Sequence, residues 1–249
     1  MALPGVPLVQ PGDDLASILI DGIAAADHKP CDRDVLVVAQ KIVSKAEGRY
    51  RRLNDVTASP RANEIARETH KDPRLIEVIL SESVEVLRCK RDIIIVEHRL
   101  GFVMANAGVD QSNIEHGDGD ERVLLLPTDP DGTCRALKQR LDKHFGVSLG
   151  VIVNDSFGRA WRNGVTGVAL GAAGLPSLVD MVGEADLFGR TLRVTQIGFA
   201  DEIAAAASLV MGQAAERQPA VLVQGLDWGN RAEASARTLI RPRELDLFR

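Results

Sequence analysis

Two short polar islands interrupt apolar, strand-like sequence, and each carries an aspartate. The first, NAGVDQSN from Asn106, contains Asp110 and Asn113. The second, NDSFGR from Asn154, contains Asp155, Ser156 and Arg159, with Trp161 and Arg162 just beyond. Carboxylates are hard oxygen ligands suited to magnesium or manganese. One or two from the protein suffice when phosphate oxygens and water complete the shell. Taken singly, an aspartate beside asparagine and glycine is ordinarily a turn residue that satisfies its own backbone. Taken together, each at the mouth of an expected strand in a dense polar cluster, the two point to a shared cation and the phosphates it binds, and so to an enzyme. Gly108 permits a tight turn before Asp110. Asn113 is placed to meet a phosphate or ribose oxygen, and Ser156 offers a further oxygen beside Asp155.

Lys41 and Lys45 follow a strand expected to end near Ala39. A lysine at such a mouth sits against phosphate oxygens as a point charge. Lys45, with Ser44 beside it, is the preferred candidate; the plainer reading is a solvated lysine pair with Glu47 as an ordinary partner. Neither GxxxxGK[ST] nor GxGxxG occurs, so a bound nucleotide needs another geometry. Arg159 and Arg162 suit bidentate contact with carboxylate or phosphate. Trp161 either stacks on a ligand or anchors its loop. Residues 11–14 precede a helix and read more readily as a plain loop than as an anion site. The five histidines lack HExxH or paired-ligand spacing, which leaves a catalytic zinc site with little support. Ser156 does not lie in GxSxG. His116 sits in an acidic loop over 115–120 that reads as an exposed turn.

The elements that must position these groups are legible from periodicity and capping. A helix is expected over 13–26, capped by Asp13 or Asp14, with Leu15, Ile18, Leu19 and Ile23 in one stripe. Residues 34–40 form a nearly continuous apolar run, as in a strand covered on both faces. Ser59 before Pro60 and Asp72 before Pro73 open helices through about Thr69 and Ser81. Strands are expected over 84–89, 93–97, 102–105 and 122–126, and a helix over 131–145 ending at Gly146. Strands over 149–154 and 165–170 flank the second island. A turn at 186–190, a strand over 191–197, a helix over 201–213 and a strand over 220–224 follow, with residues 230–249 as a polar arm. Helices and strands do not alternate as in a doubly wound sheet, so the expected class is α+β, with mixed or antiparallel sheets and packed helices. Strand clustering suggests one lobe over 81–179 that carries both islands, and another built from 1–80 and 180–249.

Composition sets the bounds. A chain of 249 residues with 45% hydrophobic content has material for one large or two small domains, and with only 4% aromatics aliphatic residues must fill the core. The net charge of -5 argues against a globally basic nucleic-acid face. Cys31, Cys89 and Cys134 lack CxxC spacing and read as reduced, mostly buried thiols of a cytoplasmic protein. Neither a signal peptide nor a membrane span is expected.

With these residues in view, the chain resembles the coenzyme F420:L-glutamate ligase family. The ordered matches are GVPL from Gly5, PGDDL from Pro11, AQKIVSKAEG from Ala39, NAGVDQSN from Asn106, NDSFGR from Asn154, then Trp161, Arg162, Gly164, Thr166 and Gly171, ADEI from Ala200 and VMGQ from Val210. The resemblance implies an uncommon gamma-glutamyl ligase fold in an intertwined homodimer. It implies GTP-dependent phosphorylation of the terminal carboxylate of a deazaflavin precursor, F420-0, then attack by L-glutamate on the acyl phosphate, with gamma-linked additions in some relatives. It implies Mg2+ or Mn2+, with K+ as a further cation. By family position the metal ligands fall on Asp110, Asp155 and Ser156, where the family usually has threonine in place of Ser156. Nucleotide contacts fall on Asn113, on Ser44 and Lys45, on Leu8, Val9, Gln10 and Pro11, and on Val210, Met211, Gly212 and Gln213. Lys45 and Arg159 supply positive charge to the phosphates. The base for the glutamate amine stays open among Glu47, Glu115 and solvent. Ala160 stands where proline is common in the family. Two other readings fit the same residues: a metal-dependent nucleotide or phosphoester hydrolase, and a nonenzymatic deazaflavin- or nucleotide-binding module.

Overall fold

Val35, Leu36, Val37 and Val38 are fully buried, and the fold is arranged to cover both of their faces. The computed structural model describes residues 1–114 and 121–247. In chain order its elements are α1 (Leu15–Ala25), β1 (Val35–Ala39), α2 (Gln40–Ala46), β2 (Tyr50–Arg52), α3 (Pro60–Thr69), α4 (Pro73–Ser81), β3 (Ser83–Lys90), β4 (Ile93–His98), β5 (Val103–Ala105), β6 (Arg122–Leu124), α5 (Pro130–Phe145), β7 (Gly150–Arg159), β8 (Arg162–Ala173), β9 (Val179–Asp180), β10 (Gln196–Ile197), α6 (Phe199–Met211) and β11 (Ala220–Val223).

The central sheet has the order β11-β1-β7-β8. β1 runs parallel to β7, with Ala39 opposite Asn154, while β11 and β8 pair antiparallel at the two sides. Strand alternation divides the core. Leu36, Val38, Val151 and Val153 face α1 and α5, where they meet Leu19, Ile23, Leu137 and Leu141. Val35, Val37 and Ile152 face α6, where they meet Ile203, Ala204 and Ala207. Two glycines of β8 set the layer spacing. A Cβ on Gly171 would stand 2.3 Å from the Pro130 carbonyl carbon at the start of α5, and one on Gly167 2.4 Å from the Ala204 carbonyl oxygen of α6.

A second apolar cluster packs α3 and α4 on the β3-β4-β5 sheet through Ile65, Ile76, Ile79, Ile94 and Val96. The two-stranded β2-β6 ribbon has its own small cluster, Leu53, Val78, Val123 and Leu125, which reaches α4. The α+β class is as expected, with mixed pairing and no closed barrel among the described residues. The central sheet takes β1 and β11 from 1–80 and 180–249, and β7 and β8 from 81–179, so strands of both expected lobes meet in it.

Caps account for the helix starts. Asp14, Ser59, Asp72 and Asp129 each accept a backbone N–H of the following turn, three of them immediately before proline. Gly146 ends α5 in the left-handed region at φ 70°. Four readings need correction. Gln40, expected as the last residue of a strand, instead begins a helix over 40–46, and no cap signals its start: Ala39 makes no side-chain cap bond. The strand expected over 191–197 shrinks to Gln196–Ile197, because only a short pairing with Val179–Asp180 supports it. The second island is not a loop between strands. It is itself paired, with Asp155 opposite Val168 and Phe157 opposite Thr166 in one long hairpin. Of the cysteines only Cys134 is buried; Cys31 is exposed and Cys89 half-buried. The arm folds back on the body: Ala236 N–H donates to Asp131 Oδ1, and Arg243 pairs with Glu85 and Glu97. No described helix is long and apolar enough to cross a membrane.

Candidate active site

Because β1 and β7 are parallel and in register, the carboxyl end of β1 at Ala39 falls beside Asn154, midway along β7. Ligands of open α/β sheets gather at such ends. The chain after Ala39 turns into α2, so Lys41 and Lys45, one helical turn apart, share a face. The chain after Asn154 continues as a strand and delivers Asp155 and Ser156 beside them. Asp110 arrives separately. Its backbone bridges Leu124 of β6 through N–H to O contacts of 3.0 and 2.9 Å, which fixes this otherwise irregular segment.

These groups line one cavity of about 1030 Å3. Lys41 Nζ lies 2.7 Å from Asp110 Oδ2 and donates to Ser112 Oγ at 2.7 Å, while Ser112 N–H donates to Asp110 Oδ1 at 2.7 Å. Burial works against ionisation of Asp110, but the Lys41 ion pair and the Ser112 N–H outweigh it and hold the carboxyl below the usual carboxylate range. Asp155 has no such cation in hydrogen-bond contact. It touches the cavity yet lies deep among protein atoms, and burial, reinforced by the charge of Asp110, pushes its pKa up to about 6 against the opposing Ser156 N–H and Lys41. Each carboxylate therefore lies within the electrostatic reach of the other.

Most residues singled out in the sequence stand on this wall. Asp110, Asn113, Asp155, Ser156, Lys45, Leu8, Val9, Gln10, Pro11, Met211, Gly212 and Gln213 all line the cavity. Lys45 Nζ donates to the Asn113 carbonyl at 2.7 Å, and Asn113 Nδ2 reaches the Ala214 carbonyl at 3.4 Å, which joins α2, the first island and the segment after α6. Three candidates stand elsewhere. Ser44 is buried, with its hydroxyl donated to Gln40 Oε1 at 2.9 Å. Val210 is on α6 but off the cavity wall. Arg159 pairs with Arg162 at the exposed end of the β7-β8 hairpin, beside Trp161, which is 87% exposed. Glu47 is also away from the cavity: Thr128 N–H and the Thr133 hydroxyl occupy its two oxygens. Glu115 and His116 lie outside the described residues.

The wall also contains Lys41, which the sequence ranks behind Lys45, and Tyr50, Arg122, Asn154 and Arg217, to which the sequence alone assigns no role. Lys41 has a usable signal, its four-residue spacing from Lys45, but that spacing means something only once residues 40–46 are a helix. Tyr50 and Arg122 come together only through β2-β6 pairing, which neither segment announces alone.

The donor set fits a divalent cation shared with phosphate. Two carboxylates and the Ser156 hydroxyl are hard oxygen donors, and Lys41 shows that Asp110 accepts a cation from the cavity side. No cluster of three or more histidine, cysteine or acidic side chains occurs among the described residues, so a protein-only cage is not formed there.

Comparison with known proteins agrees with the ordered motifs. The family model described as F420-0:Gamma-glutamyl ligase matches residues 5–225. A protein named coenzyme F420:L-glutamate ligase from Methanothermobacter thermautotrophicus is 46% identical over 250 residues, covering 100% of this chain and 98% of the relative. Its namesake from Methanopyrus kandleri is 46% identical, covering 98% of this chain and 96% of the relative. That from Archaeoglobus fulgidus is 41% identical, covering 98% and 94%. Over almost its whole length, this chain belongs to the F420-0:gamma-glutamyl ligase family.

Proposed function

We propose that the protein joins L-glutamate to the terminal carboxylate of an F420-0-like deazaflavin precursor, using GTP and a divalent metal ion. The observation that carries this reading is the meeting of Asp110 and Asp155, 45 residues apart in sequence, on one cavity wall with Lys41 and Lys45 beside them. GTP as the nucleotide rests on family resemblance. So do a homodimer, a contribution from K+ and a cytoplasmic setting.

In the first step a carboxylate oxygen of the precursor attacks the γ-phosphorus of GTP. The bond from that phosphorus to the bridging oxygen breaks, and GDP leaves with the electron pair. A carboxylate is already nucleophilic at neutral pH, so this chain needs to align and neutralise rather than deprotonate. Asp110 and Asp155, with Ser156, would hold Mg2+ or Mn2+ against the phosphates. The bound ion supplies positive charge to the transferring phosphoryl group. Lys41 and Lys45 add point charges on the α2 face, and Asn113 fixes the position of Lys45 through its carbonyl. Leu8 to Pro11 and Met211 to Gln213 line the same cavity and would border the nucleotide. In the second step the free amine of L-glutamate attacks the acyl carbon, the carbon–oxygen bond to phosphate breaks, and inorganic phosphate departs. The ammonium proton goes to solvent. Arg159 stands off the cavity wall of its own chain, so its role at the phosphates requires the hairpin of a second copy.

A mass-resolved incubation of protein, precursor, L-glutamate, GTP and Mg2+ tests this reading. The expected product is the precursor plus one or more glutamyl units, formed with matching GDP and phosphate. Phosphate release that ignores glutamate, with no mass gain, would identify a hydrolase instead.

A further inference from the structure

A second cleft of about 700 Å3 adjoins the main cavity, and the two share Pro11, Tyr50 and Arg122 as lining. Arg51 and Arg52 line only the second. The strand register connects it to the carboxylates. Asp110 bridges Leu124, Leu124 is opposite Tyr50, and Arg122 is opposite Arg52. Residues directly opposite one another project from the same face, as do residues two apart along a strand. Asp110, Tyr50, Arg52 and Arg122 therefore share one face of a three-segment ribbon. Tyr50 stands two strand spacings, roughly 10 Å, from Asp110.

We infer that this face is the docking track for the anionic acceptor, to which the family resemblance gives a phosphodiester as well as an acid, with the phosphodiester held between Arg52 and Arg122 and the terminal carboxylate directed past Tyr50 toward Asp110. The inference rests on the ligase reading above and adds the place where the precursor sits. Arginines at paired strand positions suit a phosphodiester, whose two free oxygens accept planar, bidentate donation. The second cleft also contains Asp55 and Glu77, so its lining sets three arginines against two acids. A cleft of this size is on the scale of a drug-sized ligand rather than an amino acid. The nucleotide is left the main cavity, where both lysines and both aspartates stand.

The test compares wild type with Arg52→Gln and Arg52→Lys in the ligation assay, varying the F420-0-like precursor, GTP and L-glutamate in turn, with circular dichroism as the check on folding. Arg52→Gln is expected to raise KM for the precursor about tenfold, equivalent to about 1.4 kcal/mol, with KM for GTP and L-glutamate within about twofold of wild type. Arg52→Lys is expected to recover part of the loss, because a point charge replaces the fork. An unchanged precursor KM, or an equal rise for GTP or L-glutamate, would overturn the inference. Should wild type form no glutamyl product, the ligase reading fails by itself. Precursor binding, followed by deazaflavin fluorescence, then decides the matter: weaker binding to Arg52→Gln supports the track and equal binding rejects it.

Discussion

Lys41 Nζ and Asp110 Oδ2 are 2.7 Å apart, an ion pair between the first turn of α2 and a segment bridged to β6. Both residues line the cavity where β1 ends beside Asn154. The pair also places a positive charge where nucleotide phosphates and a divalent ion would meet. Lys41 is thus part of the site, alongside Lys45 one turn later, the lysine that the sequence favours.

Lys41→Met removes this charge while keeping much of the side-chain length. Loss of a charge-assisted contact to phosphate is expected to lower kcat/KM by ten- to a hundredfold, about 1.5–3 kcal/mol. Steady-state kinetics with GTP varied measures it. An effect confined to L-glutamate would mean that Lys41 serves another substrate.

The two aspartates titrate differently. Asp110 is held ionised, whereas Asp155 keeps its proton up to about pH 6 in the metal-free protein. A carboxyl whose folded pKa is raised above its unfolded value of 3.8 favours folding less as it ionises. The sign of its own contribution is therefore negative, a loss of roughly 3 kcal/mol as pH rises from about 4 to above 6, set against the opposite contribution of Asp72, Glu82 and Asp110, whose carboxyls are held low. Metal binding needs the ionised form, so Mn2+ affinity should weaken about tenfold per pH unit below 6 and level off above it. Denaturant melts and Mn2+ titrations across pH 4–8 check both signs. Asp155→Asn should remove this group's share, read as the difference between wild type and variant at each pH.

Gly171→Ala tests the packing that brings α5 against β8. The added methyl meets the Pro130 backbone, which cannot rotate away as a side chain would. Overpacking of this kind is expected to cost roughly 1–3 kcal/mol, read from the urea midpoint at unchanged m value. Gly164→Ala is the contrast: no atom lies within 4 Å of where its Cβ would stand, and φ of 83° is its sole constraint.

Local signals carry much of the fold. Ser59 before Pro60, Asp72 before Pro73 and Gly146 mark helix ends because capping chemistry is confined to a few neighbouring residues. The uninterrupted apolar run of β1 announces burial on both faces. The helix over 40–46 escapes the sequence because neither a cap nor a clear stripe marks it, and its place follows from the strand it continues. The β7-β8 hairpin reads as shorter than it is because Asn154, Asp155 and Ser156 look like loop residues, whereas backbone pairing with β8 accommodates them within a strand. The carboxylate pair is legible as two separate polar islands, but their shared wall depends on the parallel register of β1 with β7 and the Asp110–Leu124 bridge. Tyr50, Arg52 and Arg122 are invisible in the sequence for the same reason: long-range pairing alone puts them on one face.

The most direct test of the central claim is a double-mutant cycle on Mn2+ binding in the presence of GDP, with wild type, Asp110→Asn, Asp155→Asn and the double variant. If both carboxylates hold one ion across the phosphates, each single variant should weaken Mn2+ binding at least tenfold, and the double should lose clearly less than the sum of the two, by about 1 kcal/mol or more. Strictly additive losses, or Mn2+ binding unchanged in either single variant, would contradict the account.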